Sequence, residues 1–89
     1  MNLRIDRYLH CIRLVKSRTL ARSLIEEGHV RLDGRRVVKP SEPVRPGQVI
    51  ALPMSGAVRV LRVRALPQRR GPPTEAREHY EELGAPAGD

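Results

Sequence analysis

At Gly28 the hydrophobic pattern of this chain changes period, and that change restricts the fold more than any other feature. Before it, apolar residues recur at helical spacing; after it they alternate, as in strands half covered by a core. Ile5, Tyr8, Leu9, Ile12 and Val15 share one arc of a helix predicted over residues 4–15, with Asp6, Arg7, His10 and Arg13 on the opposite arc. Lys16 and Ser17 break the pattern. Ser17 is a good N-cap for a second helix over 18–27, whose apolar arc is Leu20, Ala21, Leu24 and Ile25, and Gly28 stands where a helix C-terminal glycine belongs. So tight a turn makes the two apolar arcs pack together.

Past Gly28, His29–Leu32 and Arg35–Val38 flank Asp33-Gly34, a strong signal for a two-residue hairpin. The resulting pairs are Leu32 with Arg35, Arg31 with Arg36, and Val30 with Val37. Lys39–Pro43 reads as a loop, Pro46-Gly47 as a turn, and Val49–Leu52 and Val58–Ala65 as two more strands around Pro53–Gly56. The fold class is α+β: two N-terminal helices packed on a short antiparallel sheet, plus a short C-terminal helix. Residues 1–66 form the expected domain. Residues 67–89 are expected to hold a linker over Pro67–Pro73, a mostly acidic helix over 74–83 with Thr74 as N-cap, and a disordered end from Ala85 to Asp89.

With 89 residues the chain supports one modest core. No apolar run suits a membrane span, and charges occupy the N-terminal stretch where a signal peptide needs apolar residues, so a cytoplasmic protein is expected. The single cysteine, Cys11, lies beside the apolar arc and reads as a packing residue. His10, His29 and His79 lack partners at metal-ligand spacing, and no nucleophile, phosphate-loop or dinucleotide motif occurs. The expectation is a protein that is not an enzyme, with no cofactor, no metal and no small-molecule substrate.

The charge points to a polyanion. The net charge is +7, and all but two of the 17 Lys/Arg are arginine, whose planar fork suits phosphate. Residues 1–39 hold ten basic and four acidic residues, against seven and six in residues 40–89. A basic half joined to a near-neutral half places the binding face on the first. Three features make it up. At the turn Lys16-Ser17-Arg18, the N-terminus of the second helix offers unpaired N–H groups to a phosphate. Arg18 and Arg22 share one helix side, with Glu26 near enough to relieve Arg22 and nothing local to relieve Arg18, while Arg4, Arg7 and Arg13 line the first helix. In the hairpin, Arg31 and Arg36 stand opposite each other, a like-charge pairing that destabilises unless an external anion uses it. With two tyrosines and no Phe or Trp the chain has no stacking platform for bases, so it should grip the backbone of folded RNA.

The same residues resemble a known family. R-I-D-R at 4–7, R-L-V-K-S-R at 13–18, L-A-R at 20–22, E-G-H-V-R-L-D-G at 27–34 and K-P-S at 39–41 are similar in order and spacing to the S-four RNA-binding domain, and Val44–Leu52 with P-G-Q before it resembles the closing strand. The whole chain is similar to two groups of small free-standing S-four proteins: the bacterial heat-shock proteins of fifteen kilodaltons and the cofactors of ribosome-associated quality control. That resemblance implies ribosomal RNA of the large subunit as partner, with peptidyl-tRNA as a further one, and a role in recycling or rescue of stalled subunits. Carried over by position, the RNA contacts are Arg4, Arg7, Arg13, Lys16, Ser17, Arg18 and Arg22, with Arg31, Arg35, Arg36 and Lys39 as secondary contacts. A monomer is expected. The rival readings are a DNA-binding regulator with a helix-turn-helix-like helix pair, and a specificity subunit of an RNA-modifying enzyme.

Overall fold

The structure, a computed structural model, describes residues 3–54 and 56–83. Leu3–Arg4 form a short strand, β1, that runs straight into helix α1, Ile5–Cys11. Its first backbone N–H groups find carbonyls in the 39–42 loop: Ile5 N–H donates to Glu42 at 2.8 Å and Asp6 N–H to Pro40 at 3.2 Å. The helix is shorter than the predicted 4–15. It ends because Arg13 N–H donates back to His10 and Leu14 N–H to Leu9, a Schellman closure with Arg13 in left-handed backbone at φ 64°. Helix α2, Arg18–Glu26, starts where expected, with Ser17 Oγ accepting from Leu20 N–H at 3.1 Å. It ends by the same closure, His29 N–H donating to Leu24 and Gly28 at φ 83°. Glycine adopts that conformation without steric cost, whereas an arginine there costs on the order of 1–2 kcal/mol.

Strands β2 (Val30–Leu32) and β3 (Arg35–Val37) form the hairpin in the predicted register, Arg31 opposite Arg36. Asp33 at φ 52° and Gly34 at φ 85° give the two left-handed residues that a type I′ turn requires. Strands β4 (Pro43–Val44), β5 (Val49–Met54) and β6 (Ala57–Val63) follow. The main sheet runs β3-β2-β5-β6 with a fifth strand beyond β6, and β1 pairs separately with β4. Asp33 also joins the hairpin tip to β5: its carboxylate Oδ1 accepts from Val49 N–H at 2.9 Å, and its own N–H donates to the Val49 carbonyl at 2.7 Å. Replacing Asp33 by alanine removes that side-chain bond and a residue tolerant of left-handed backbone. The expected loss is about 1–2 kcal/mol in urea unfolding, and an unchanged midpoint would refute this role.

The helices cover one face of the sheet. Ile5, Tyr8, Leu9 and Ile12 from the first, Ala21 and Ile25 from the second, and Val30, Leu32, Val37, Ile50, Leu52, Leu61 and Val63 from the strands form one buried cluster. Cys11 is buried, in keeping with a packing role.

The C-terminal segment departs from expectation. Its helix, α3, covers only Pro73–Ala76, with Pro72 rather than Thr74 at the N-cap position, and a single 3-10 turn follows over Arg77–His79. Tyr80–Leu83, predicted helical, is instead strand β7, antiparallel to β6 with Tyr80 opposite Val63. The local acidic pattern is overridden by partners distant in sequence: Glu82 pairs with Arg59 and Glu81 with Arg62, while Tyr80 packs against the core. The expected disorder of Ala85–Asp89 lies outside the described residues.

Candidate nucleic-acid interface

The candidate interface is organised by a residue that sequence reasoning placed on the solvent side of α1. Asp6 is fully buried. Its carboxylate accepts from Arg4 Nε at 2.8 Å and Nη2 at 3.1 Å, and from Arg18 Nη2 at 3.3 and 3.4 Å. Burial pushes this carboxyl up, but the hydrogen bonds from Arg4 and the charges of Arg18 and Arg4 outweigh it and hold it below the usual carboxylate range. Arg18, which has no acidic neighbour on its own helix, is therefore relieved across space. Both arginine side chains remain close to half exposed, at 46% and 43%. A guanidinium carries five N–H donors, so each keeps several for an external anion. Two cations sharing one buried anion form a fixed, net positive pair at the surface.

The stretch expected to be a linker lies across the polar arc of α1. Arg7 Nη2 donates to the Gln68 carbonyl at 2.8 Å, and Arg13 Nε to the Gly71 carbonyl at 2.6 Å. The Tyr8 hydroxyl likewise donates to the His79 carbonyl at 2.8 Å, and in the other direction Arg70 Nε donates to the His10 carbonyl at 3.1 Å. Arg7 and Arg13 thus spend part of their donor set inside the molecule. The left-handed backbone at Arg13 is compensated by this tether, since glycine could not make it. Burial, together with the charges of Arg70, Arg18 and Arg13, holds the His10 imidazole below the ordinary histidine range.

The remaining residues fall into two groups. Lys16, Ser17 and Arg22 are exposed at and after the α2 N-terminus, and among the described residues neither Lys16 nor Arg22 has an ion-pair partner. The hairpin group is separate. Arg31 and Arg36 point away from the sheet face that Val30, Leu32 and Val37 bury. They also diverge: Arg31 Nη1 reaches the Gly34 carbonyl at 3.3 Å, while the Arg36 stem lies over Gly28 at the C-terminal end of α2. That end is about 13 Å from Ser17 along a nine-residue helix. Arg35 pairs with Glu42 at 2.7 Å, and Lys39 is exposed on the loop that receives the first turn of α1. The structure thus gathers Arg4, Arg18, Arg7 and Arg13 around α1, with Lys16, Ser17 and Arg22 on the adjoining helix, and leaves Arg31 and Arg36 on another side. Sequence reasoning missed Asp6, His10 and Arg70. Only the four-residue spacing of Asp6 and His10, which stacks them on one helix side, hinted at the first two.

Among the described residues no group of three or more His, Cys, Asp or Glu could hold a metal ion, and no helix is long and apolar enough to cross a membrane.

The family of S4 domains matches residues 3–50, which holds both helices, the hairpin and the start of β5. The chain is a member of the S4 domain family. Small ribosomal subunit protein uS4 of Lacticaseibacillus casei (strain BL23) is 46% identical over 52 residues, 58% of this chain and 26% of that protein. Heat shock protein 15 of Escherichia coli (strain K12) is 37% identical over 82 residues, 92% of this chain and 61% of that protein. This S4 chain therefore spans about a quarter of the ribosomal protein and less than two thirds of the heat-shock protein. Heat shock protein 15 of Vibrio cholerae, 31% identical, has a solved structure that superposes with a TM-score of 0.88 over 93% of this chain and 83% of that one. The likeness to heat shock protein 15 thus includes the segment beyond the S4 match. The Vibrio cholerae structure is described as trimeric, which runs against the monomer expected from the sequence.

Proposed function

We propose that this S4-domain protein is an RNA-binding protein that grips structured ribosomal RNA of the large subunit, with peptidyl-tRNA as a second partner, and serves rescue or recycling of stalled large subunits in the cytoplasm. The observation that carries this reading is the Arg4–Asp6–Arg18 arrangement: a buried carboxylate holds two half-exposed guanidinium groups at the surface, beside the exposed Lys16 and Arg22. Arginine forks fixed in position suit the closely spaced phosphates of folded RNA. The similarity to heat shock protein 15 over 92% of the chain supports the whole-chain resemblance from which a large-subunit partner was expected.

Co-sedimentation with purified large ribosomal subunits over a series of salt concentrations tests this. Binding should weaken steeply as salt rises, and Lys16→Gln with Arg22→Gln should lower the slope of log affinity against log salt by about two, one for each lost phosphate contact. Duplex DNA should compete poorly at the same ionic strength. Binding that ignores salt, or DNA competing as well as ribosomal RNA, would refute the proposal.

A further inference from the structure

The cationic face does not stop at the S4 match, and its last part comes from the C-terminal segment. Asp6 and His10 lie one turn apart on α1 and so share a side of the helix. Asp6 draws Arg18 to that side from α2, and the His10 carbonyl draws in Arg70 from the crossing segment. Arg13, three residues past His10, is tied to Gly71, the neighbour of Arg70. Three guanidinium groups, from the end of α1, from α2 and from the crossing segment, are therefore gathered on the His10 side of α1. The groups facing His10 are Arg70, Arg18 and Arg13, with Asp6 and Arg7 its neighbours on α1, and the one carboxylate among them, Asp6, is already committed to Arg4 and Arg18.

A cluster of cations without matching anions is unfavourable unless something external neutralises it. We propose that Arg13, Arg18 and Arg70 with His10 form a subsite for one backbone phosphate of the bound RNA, completed by residues 68–71. The inference rests on the RNA-binding reading above and adds to it a contact outside the S4 match. Two bonds keep the segment in place, Arg7 to Gln68 and Arg13 to Gly71, so Arg70 is held beside His10 rather than carried on a loose tail.

The subsite has a signature that the exposed arginines lack. In the unbound protein burial and the surrounding arginines disfavour imidazolium, and a phosphate beside them favours it. Its pKa is therefore higher in the complex than in the free protein, and binding takes up a proton. Affinity should rise as pH falls from about 8 to about 6, by roughly three- to tenfold at constant salt.

The test is fluorescence titration of purified large-subunit ribosomal RNA with the full chain and its variants, over salt and over pH. Arg70→Gln should lower the salt slope by about one and flatten the pH dependence, His10→Gln should abolish the pH dependence, and Arg70→Lys should restore the salt slope because it keeps the charge. Thermal melts of each variant separate loss of the cation from loss of the fold. If Arg70→Gln and His10→Gln bind as the parent does while Lys16→Gln with Arg22→Gln loses affinity, the subsite is wrong and the RNA-binding reading stands. If Arg70→Lys folds normally yet fails to recover binding, the subsite is also wrong. If the parent chain itself does not bind the RNA, the reading beneath it has failed.

Discussion

Replacing Arg4 and Arg18 together by glutamine will destabilise the protein by about 2–4 kcal/mol at neutral pH, and adding Asp6→Asn to that double variant will recover most of the loss. Removing both cations leaves the Asp6 carboxylate buried with no counter-charge, a situation that costs about 3–5 kcal/mol in a fully enclosed site. The lower range applies because both arginines are close to half exposed and solvent reaches their side of the pair. The pH dependence should change sign. In the parent chain the carboxyl lies below its ordinary value, so its contribution is present above the unfolded-state pKa and disappears as pH falls through the folded-state one. Without the arginines burial dominates and the carboxyl titrates above its unfolded value, so stability falls as pH rises across the carboxylate range. Urea unfolding across acidic to neutral pH reads both effects. A double variant as stable as the parent, with no recovery from Asp6→Asn, would remove Asp6 from the centre of this interface.

Ending the chain at Leu66 will cost at least about 3–5 kcal/mol, a large share of the 5–15 kcal/mol that domains of ordinary stability possess. The cut removes β7 and so leaves β6 as an unpaired edge. It strips Tyr80 and the buried Ala76 from their places, and each apolar side chain lost from cover is worth about 1.5–3 kcal/mol when large. It also deprives the buried Tyr8 hydroxyl of the His79 carbonyl. Circular dichroism should show a broad transition at much lower temperature. A truncated chain that melts within a few degrees of the full one would mean that residues 67–83 decorate an independent domain.

What could be read from the residues was local. Ser17 caps α2, Gly28 closes it, and Asp33-Gly34 sets the hairpin register, because each of these depends on a few neighbouring residues and their backbone preferences. What could not be read was brought about by contacts between residues far apart. Asp6 looked solvated because its helix alone presents it with Arg7 and His10, and its burial depends on Arg4 folding over it, on Arg18 approaching from α2 and on the 39–42 loop meeting the first turn of α1. Tyr80–Leu83 looked helical because its strand character depends on β6, some twenty residues earlier. The same long-range contacts redistributed the candidate arginines. Arg7 and Arg13 became ties to the C-terminal segment, Arg70 joined the cluster, and Arg31 and Arg36 stayed on another side of the sheet.

Guanidinium groups fastened along one edge to acceptors of their own protein have a kinetic consequence. A loose arginine carries about 2 kcal/mol of rotamer entropy, much of which is lost when it locks onto a ligand. Arg4, Arg13 and Arg70 have already surrendered much of that freedom in folding, to Asp6, Gly71 and His10 respectively. Preorganisation of this kind acts mainly on how long a complex survives. Loosening one anchor should therefore shorten residence on the RNA more than it slows arrival.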